Sequence, residues 1–158
     1  GLTDAQIRAA LKQVVLTDMR MQLIPVGDVL FINDAYNAAP TSMHAAIQFV
    51  NQSTIRTDKW LVLGDMLELG NDEQHMHEEI AAHRQTKKVN YVCLYGTRMK
   101  WLYDKLQPQF AHGHILHAET DYAPIINTIK QYATNDTLIL VKGSRGMKLE
   151  TIIESVSE

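Results

Sequence analysis

Four stretches of this chain combine glycine with polar or charged side chains where an apolar run stops. In Lys142-Gly143-Ser144-Arg145-Gly146, two cations flank a glycine turn that opens a helix. Unpaired N–H groups at such a turn, next to cations, suit a carboxylate or phosphate. The plainer reading is that Ser144 caps the helix and both cations are solvated. A triphosphate-cradling loop is excluded, because that loop needs Gly-Lys-Ser/Thr with a glycine at fixed upstream spacing. Asn33-Asp34 ends another apolar run. A carboxylate there can accept hydrogen bonds from two ribose hydroxyls, or can simply satisfy local turn donors. Tyr36 can stack on a base or pack within its loop. Asp65 follows Gly64 in a position like the phosphoacceptor of receiver domains, but Asn33-Asp34 is a poor substitute for the acidic pair that holds their Mg²⁺.

Other chemistries find less support. No G-x-G-x-x-G follows a strand pattern, which argues against a dinucleotide oxidoreductase. Seven histidines are present. His75 and His77 lie two apart on a helix and face different ways; Glu73 and His77 are an acid–imidazole pair there at useful spacing. No metal ligand set is expected. His83 is read as a helix-face residue near the core. No nucleophile elbow accompanies the serines.

Positioning these loops requires a strand–helix alternation. Residues 3–16 carry Ile7, Ala10, Leu11, Val14 and Val15 at helical period, with Thr3 and Gln6 as a capping box. Runs 22–26 and 29–32 flank Gly27-Asp28, a tight hairpin signal. Helices are then predicted over 42–51, 72–85, 98–106 and 121–133, with a last helix carrying Leu149, Ile152, Ile153 and Val156 in phase. Strands are predicted over 60–63, 91–94, 114–117 and 137–141. Near-continuous apolar strands alternating with helices imply a parallel sheet covered on both faces. The expected fold is therefore α/β: a Rossmann-like, mostly parallel sheet with helices on both faces, preceded by a β-hairpin and an N-terminal helix. In such sheets ligands bind beyond the C-terminal ends of the strands. The loops after residues 32, 63, 94 and 141 should thus share one rim.

Composition narrows the class. The 158 residues are 46% apolar and 21% charged, which excludes a disordered tail. A net charge of −3 and pI near 6.2 give no broad basic field for nucleic acid or an anionic membrane. The single Cys93 sits in an apolar run and reads as a small buried hydrophobe. No apolar stretch is long enough to cross a bilayer, and no secretory signal is recognisable, so a cytoplasmic setting is expected. The start at Gly1 suggests a fragment.

Three motifs, taken together, carry a resemblance. Asp34-Ala35-Tyr36-Asn37-Ala38-Ala39-Pro40-Thr41-Ser42-Met43, Leu63-Gly64-Asp65-Met66-Leu67-Glu68-Leu69-Gly70, and Val141-Lys142-Gly143-Ser144-Arg145 with Leu149-Glu150 occur in this order. The pattern resembles the C-terminal domain of the Mur ligases, in the MurF-type branch that adds D-alanyl-D-alanine. His77 and Glu79 also fit the family's helix pattern. The resemblance implies that residues 1–21 are the end of a central ATPase domain and a linker, and that 22–158 are the C-terminal ligase domain. It implies Arg20, Lys142 and Arg145 near the reacting centre, and Asp34, Tyr36 and Asn37 on the ATP side. It places Asp65, Ser144 and Arg145 toward the incoming substrate. The family usually has asparagine where this chain has Ala39, so a hydrogen bond from that amide must be supplied otherwise.

The implied activity is ATP- and Mg²⁺-dependent joining of D-alanyl-D-alanine to UDP-N-acetylmuramoyl-tripeptide through an acyl phosphate, in peptidoglycan synthesis. The triphosphate loop and Mg²⁺ ligands of the family lie in the central domain, so this stretch alone should be inactive and bind no cofactor tightly. Its partners would be its own central and N-terminal domains. The alternative is a free-standing α/β module for an anion or nucleotide, of receiver-like type.

Overall fold

The computed structural model describes residues 21–158. The predicted helix over 3–16 and Arg20 lie outside the described residues.

β1 (Gln22–Val26) folds back on β2 (Val29–Asp34) as an antiparallel hairpin, with Val26 opposite Val29. Two residues make the turn, and Gly27 takes φ +57°, where a side chain would be strained. Pro25 is exposed on this edge strand, where its missing N–H blunts further pairing. The remaining strands are β3 (Asp58–Gly64), β4 (Tyr91–Tyr95), β5 (Ile115–Ala118) and β6 (Thr137–Lys142). The sheet order is β1-β2-β6-β3-β4-β5, and every neighbouring pair after the hairpin is parallel. All six residues of β6 are buried, as expected for a central strand covered on both sides.

Successive side chains of a strand point to opposite faces, so each strand feeds two cores. Leu30, Ile32, Leu61, Leu63, Leu138 and Leu140 face one side. There they meet α1 (Pro40–Gln52) through Met43, Ala46, Ile47 and Val50, α2 (Glu73–Ala82) through Ile80 and Ala81, and α3 (Met99–Leu106) through Met99, Leu102 and Leu106. Phe31, Trp60, Val62, Cys93, Ile139 and Val141 face the other side. They meet α4 (Ala123–Tyr132) through Ile125 and Ile129, and α5 (Glu150–Val156) through Ile152 and Ile153.

The Rossmann-like α/β architecture is as expected; several ends are not. α1 starts at Pro40, two residues early, because a proline in the first turn needs no N–H partner. The helix expected over 72–85 stops at Ala82, so His83 terminates it and does not lie on its face. There Thr86 Oγ1 donates to the Ile80 carbonyl at 2.8 Å and turns the chain into a 3₁₀ segment, Arg84–Lys88. β3 and β6 run to Gly64 and Lys142, carrying the strands to the rim.

Candidate functional site

Because β2, β6, β3 and β4 are parallel neighbours, their C-terminal ends lie side by side. At the middle of this rim the ends of β6 and β3 nearly touch. A Cβ on Gly143 would lie 3.0 Å from the Gly64 Cα and 2.7 Å from Leu149 Cδ1, so the crossing tolerates no side chain.

The loop after β3 ties the rim together. Ser144 N–H donates to the Asp65 carbonyl at 3.0 Å, and Ser144 Oγ accepts from Leu67 N–H at 2.8 Å. Ser144 therefore does not cap its own turn but binds the neighbouring loop. Met66 N–H donates to His77 Nε2 at 3.0 Å; that nitrogen must be the acceptor, so Nδ1–H donates to the Glu73 carbonyl at 2.6 Å. His77 is fully buried while His75 is exposed beside Glu79, as their spacing implied.

Asp65 is buried, and its carboxylate sits at the start of α3. Oδ1 accepts from Met99 N–H at 2.9 Å and Oδ2 from Arg98 N–H at 3.2 Å, satisfying donors that a helix start leaves unpaired. Arg98 Nη1 stands 3.6 Å from Oδ2, and Arg98 Nε donates to Glu73 Oε2 at 2.8 Å. The hydrogen bond to Glu73 is the main reason the Arg98 guanidinium holds its proton more tightly than usual. Gly96 takes φ +112°, and a Cβ there would lie 2.4 Å from the Asp65 carboxyl carbon. These contacts hold Asp65 inside the rim, so it lacks the exposure of a receiver phosphoacceptor.

Asp34 and Lys142 lie opposite each other in the β2–β6 register. Lys142 Nζ is 2.6 Å from Asp34 Oδ2 and donates to the Asn37 carbonyl at 3.1 Å; the two side chains are 4% and 3% exposed. Removing one partner of a buried ion pair costs about 3–5 kcal/mol, far more than for a solvent-screened pair such as Lys100–Asp104. The Asn37 side chain folds back on its own loop, its Oδ1 accepting from Ala38 N–H at 2.8 Å.

Tyr36 and Arg145 are exposed at the rim, as is Asn37. The Arg145 guanidinium carbon lies 5.0 Å from the Tyr36 ring centre. Together with Asn33, Ala35 and Glu150 they line a recess of ≈ 200 Å³. A larger recess, ≈ 440 Å³, lies around Asp58, Asn90 and His114 at the opposite ends of the strands. The smaller one is the candidate, because parallel sheets present ligand sites at the C-terminal ends of their strands. Glu150 was not singled out as a site residue in the sequence; its membership comes from α5 packing back beneath the rim.

The structure thus gathers Asp34 and Lys142 in one buried cluster that holds the carbonyl of the exposed Asn37, Asp65 and Ser144 in a second, and Tyr36 and Arg145 in a third that faces solvent. The model of the Mur ligase, glutamate ligase domain matches residues 19–145. The chain belongs to this Mur ligase family. The matched span takes in the motifs at 34–43 and 63–70 and the last one as far as Arg145, and stops before Leu149-Glu150. Among Mur ligases, the UDP-N-acetylmuramoyl-tripeptide–D-alanyl-D-alanine ligase of Bacillus subtilis is 38% identical over 159 residues, covering 100% of this chain and 35% of the relative. That of Rickettsia prowazekii is 34% identical, with 96% and 33% covered. A MurF crystal structure from Acinetobacter baumannii superposes with a TM-score of 0.73 at 27% identity, over 87% of this chain and 30% of that one. MurF ligase from Thermotoga maritima in complex with ADP has the same fold, with a TM-score of 0.73 at 21% identity and coverage of 87% and 30%. The chain spans about a third of the length of the curated Mur ligases it matches.

Proposed function

We propose that this chain is the C-terminal domain of a UDP-N-acetylmuramoyl-tripeptide–D-alanyl-D-alanine ligase of peptidoglycan synthesis. It closes over ATP and the peptide substrates held by two further domains of a longer cytoplasmic protein. Residues 1–21 would complete the central ATPase domain and the linker, and 22–158 form the closing domain. The observation that carries the reading is the gathering of the three motifs on one rim, with Arg145 and Tyr36 turned outward. The relatives' names and the ADP complex of a structural neighbour supply the reaction class.

The chemistry explains why a closing domain is needed. A carboxylate is a poor acylating agent. Phosphoryl transfer from ATP to the tripeptide carboxylate gives an acyl phosphate. The amine of D-alanyl-D-alanine then attacks the carbonyl carbon, the C–O bond to phosphate breaks, and the amine nitrogen loses a proton. Water would hydrolyse the acyl phosphate, so the site must be shut before the first step. On this domain the exposed Tyr36 ring suits a base. The Asp34 cluster sets the nucleotide-side loop, and Arg145 brings positive charge to a phosphate or carboxylate. Ser144 holds Arg145 and the 64–70 loop in one frame. Arg20, at the junction, would face the ATP phosphates. Mg²⁺ neutralises phosphate charge in such reactions. Among the described residues no three His, Cys, Asp or Glu side chains converge as a metal site.

The test compares the full-length protein with the 158-residue chain. ADP release that depends on both the UDP-tripeptide and D-alanyl-D-alanine is expected from the full-length protein and not from the chain by itself. A full-length protein that accepts neither substrate overturns the ligase reading.

A further inference from the structure

The resemblance places Lys142 near the reacting atoms, but its geometry points elsewhere. It is the last residue of β6, its side chain is 4% exposed, and it lies on the α1 side of the sheet with Leu138 and Leu140. Its ammonium group is directed at the Asp34 carboxylate (2.6 Å) and the Asn37 carbonyl (3.1 Å). Both contacts lie on the strand end and loop that carry Tyr36, and β2 is hydrogen-bonded to β6 at that point. The outward-facing cation of the same motif is Arg145, three residues on.

We infer that Lys142 is a positioning residue for the nucleotide-side loop, residues 34–39, and not a catalytic residue. A lysine held by a carboxylate on one side and a carbonyl on the other fixes two points of the loop relative to the central strand. It therefore sets where Asp34 and Tyr36 stand when the domain closes. A methionine at 142 fills similar space but removes the charge and both hydrogen bonds. The loop then loses its anchor while Ser144 and the 64–70 loop keep theirs, because none of their contacts passes through the Lys142 side chain. The cost should fall on ATP recognition and not on the chemical step.

This inference rests on the ligase reading above, and the experiment separates the two. In the full-length ligase, K142M, D34N and the double variant are assayed for ATP KM, D-alanyl-D-alanine KM and kcat. K142M is expected to raise the ATP KM by about tenfold or more, with kcat within about threefold and the D-alanyl-D-alanine KM unaltered. The double variant is expected to be little worse than D34N, because the contact K142M removes is already broken there. Multiplicative losses in the double variant overturn the inference. So does a kcat loss beyond about 100-fold at an unaltered ATP KM, which marks a group acting on the reacting atoms. Should K142M fail to fold, K142R, which keeps a cation opposite Asp34, decides by the same split between KM and kcat. An unaltered ATP KM in D34N removes the nucleotide reading of Asp34 and, because D34N breaks the same contact, overturns the Lys142 inference as well.

Discussion

At the scale of single residues, the rim divides its charged groups by burial. Asp34, Lys142 and Asp65 are buried and engaged, whereas Arg145 is exposed and lies over the Tyr36 ring. An exposed cation over an aromatic face contributes about 0.5–1 kcal/mol to stability. Arg145→Ala should therefore leave the unfolding free energy, read by urea titration, within about 1 kcal/mol of wild type, while the full-length ligase loses more than about tenfold in kcat/KM. A collapse in stability would instead make Arg145 structural. Cys93 behaves as its apolar neighbours implied: burial pushes its thiol up to about 12. The motifs marked which residues gather at the rim, but not which of them would be engaged there. Asp65 shows why: its partners are the backbone of residues 98 and 99, thirty-three and thirty-four positions away.

At the scale of elements, the departure at Ala39 acquires a physical meaning. Ala39 is the N-cap of α1, with extended φ −132° and ψ 159°, and an alanine offers no side-chain acceptor there. Ser42 compensates in part: its Oγ accepts from Ala39 N–H at 3.1 Å. The asparagine usual in the family would accept a hydrogen bond from the first turn. Ala39→Asn should stabilise the protein by about 1 kcal/mol, read as a higher urea midpoint at unchanged slope. A lower midpoint would show that the amide cannot reach the first-turn donors here. Periodicity found α1 and the strands well, because their apolar faces repeat cleanly. It overran α2, whose end depends on the Thr86 hydroxyl taking the Ile80 carbonyl. Tyr132, at the end of α4, is 49% exposed and its ring stacks on Tyr91.

At the scale of the whole molecule, stability should depend on pH through the seam between α1 and the end of α2. The rings of His44 and His83 lie 4.5 Å apart, and both Nδ1 atoms are buried without a hydrogen-bond partner. Burial lowers the His44 pKa below its ordinary value of 6.5, His83 lowers it further, and Glu79 opposes both. Around and just below that ordinary value the unfolded chain therefore binds more protons than the folded one. Stability then rises with pH across this window, and is lost as pH falls from about 7 toward the folded value. His44→Gln should flatten that loss, measured as the change in urea midpoint between about pH 7.5 and 5. An unaltered slope would remove His44 as its source.

The order of apolar and polar residues by itself determined the strand–helix alternation, and with it the parallel sheet, because a strand buried on both faces must be apolar throughout while its helices need only one apolar stripe. It also determined that the four loops share a rim, since parallel strands end on the same side. Only the tertiary structure decided what each rim residue does there. Lys142 and Asp34 are adjacent through the β2–β6 register, 108 positions apart in the chain, and Ser144 reaches Leu67 across 77. Such contacts depend on which strands become neighbours, and the alternation that specifies a sheet is indifferent to the order in which its strands are laid down.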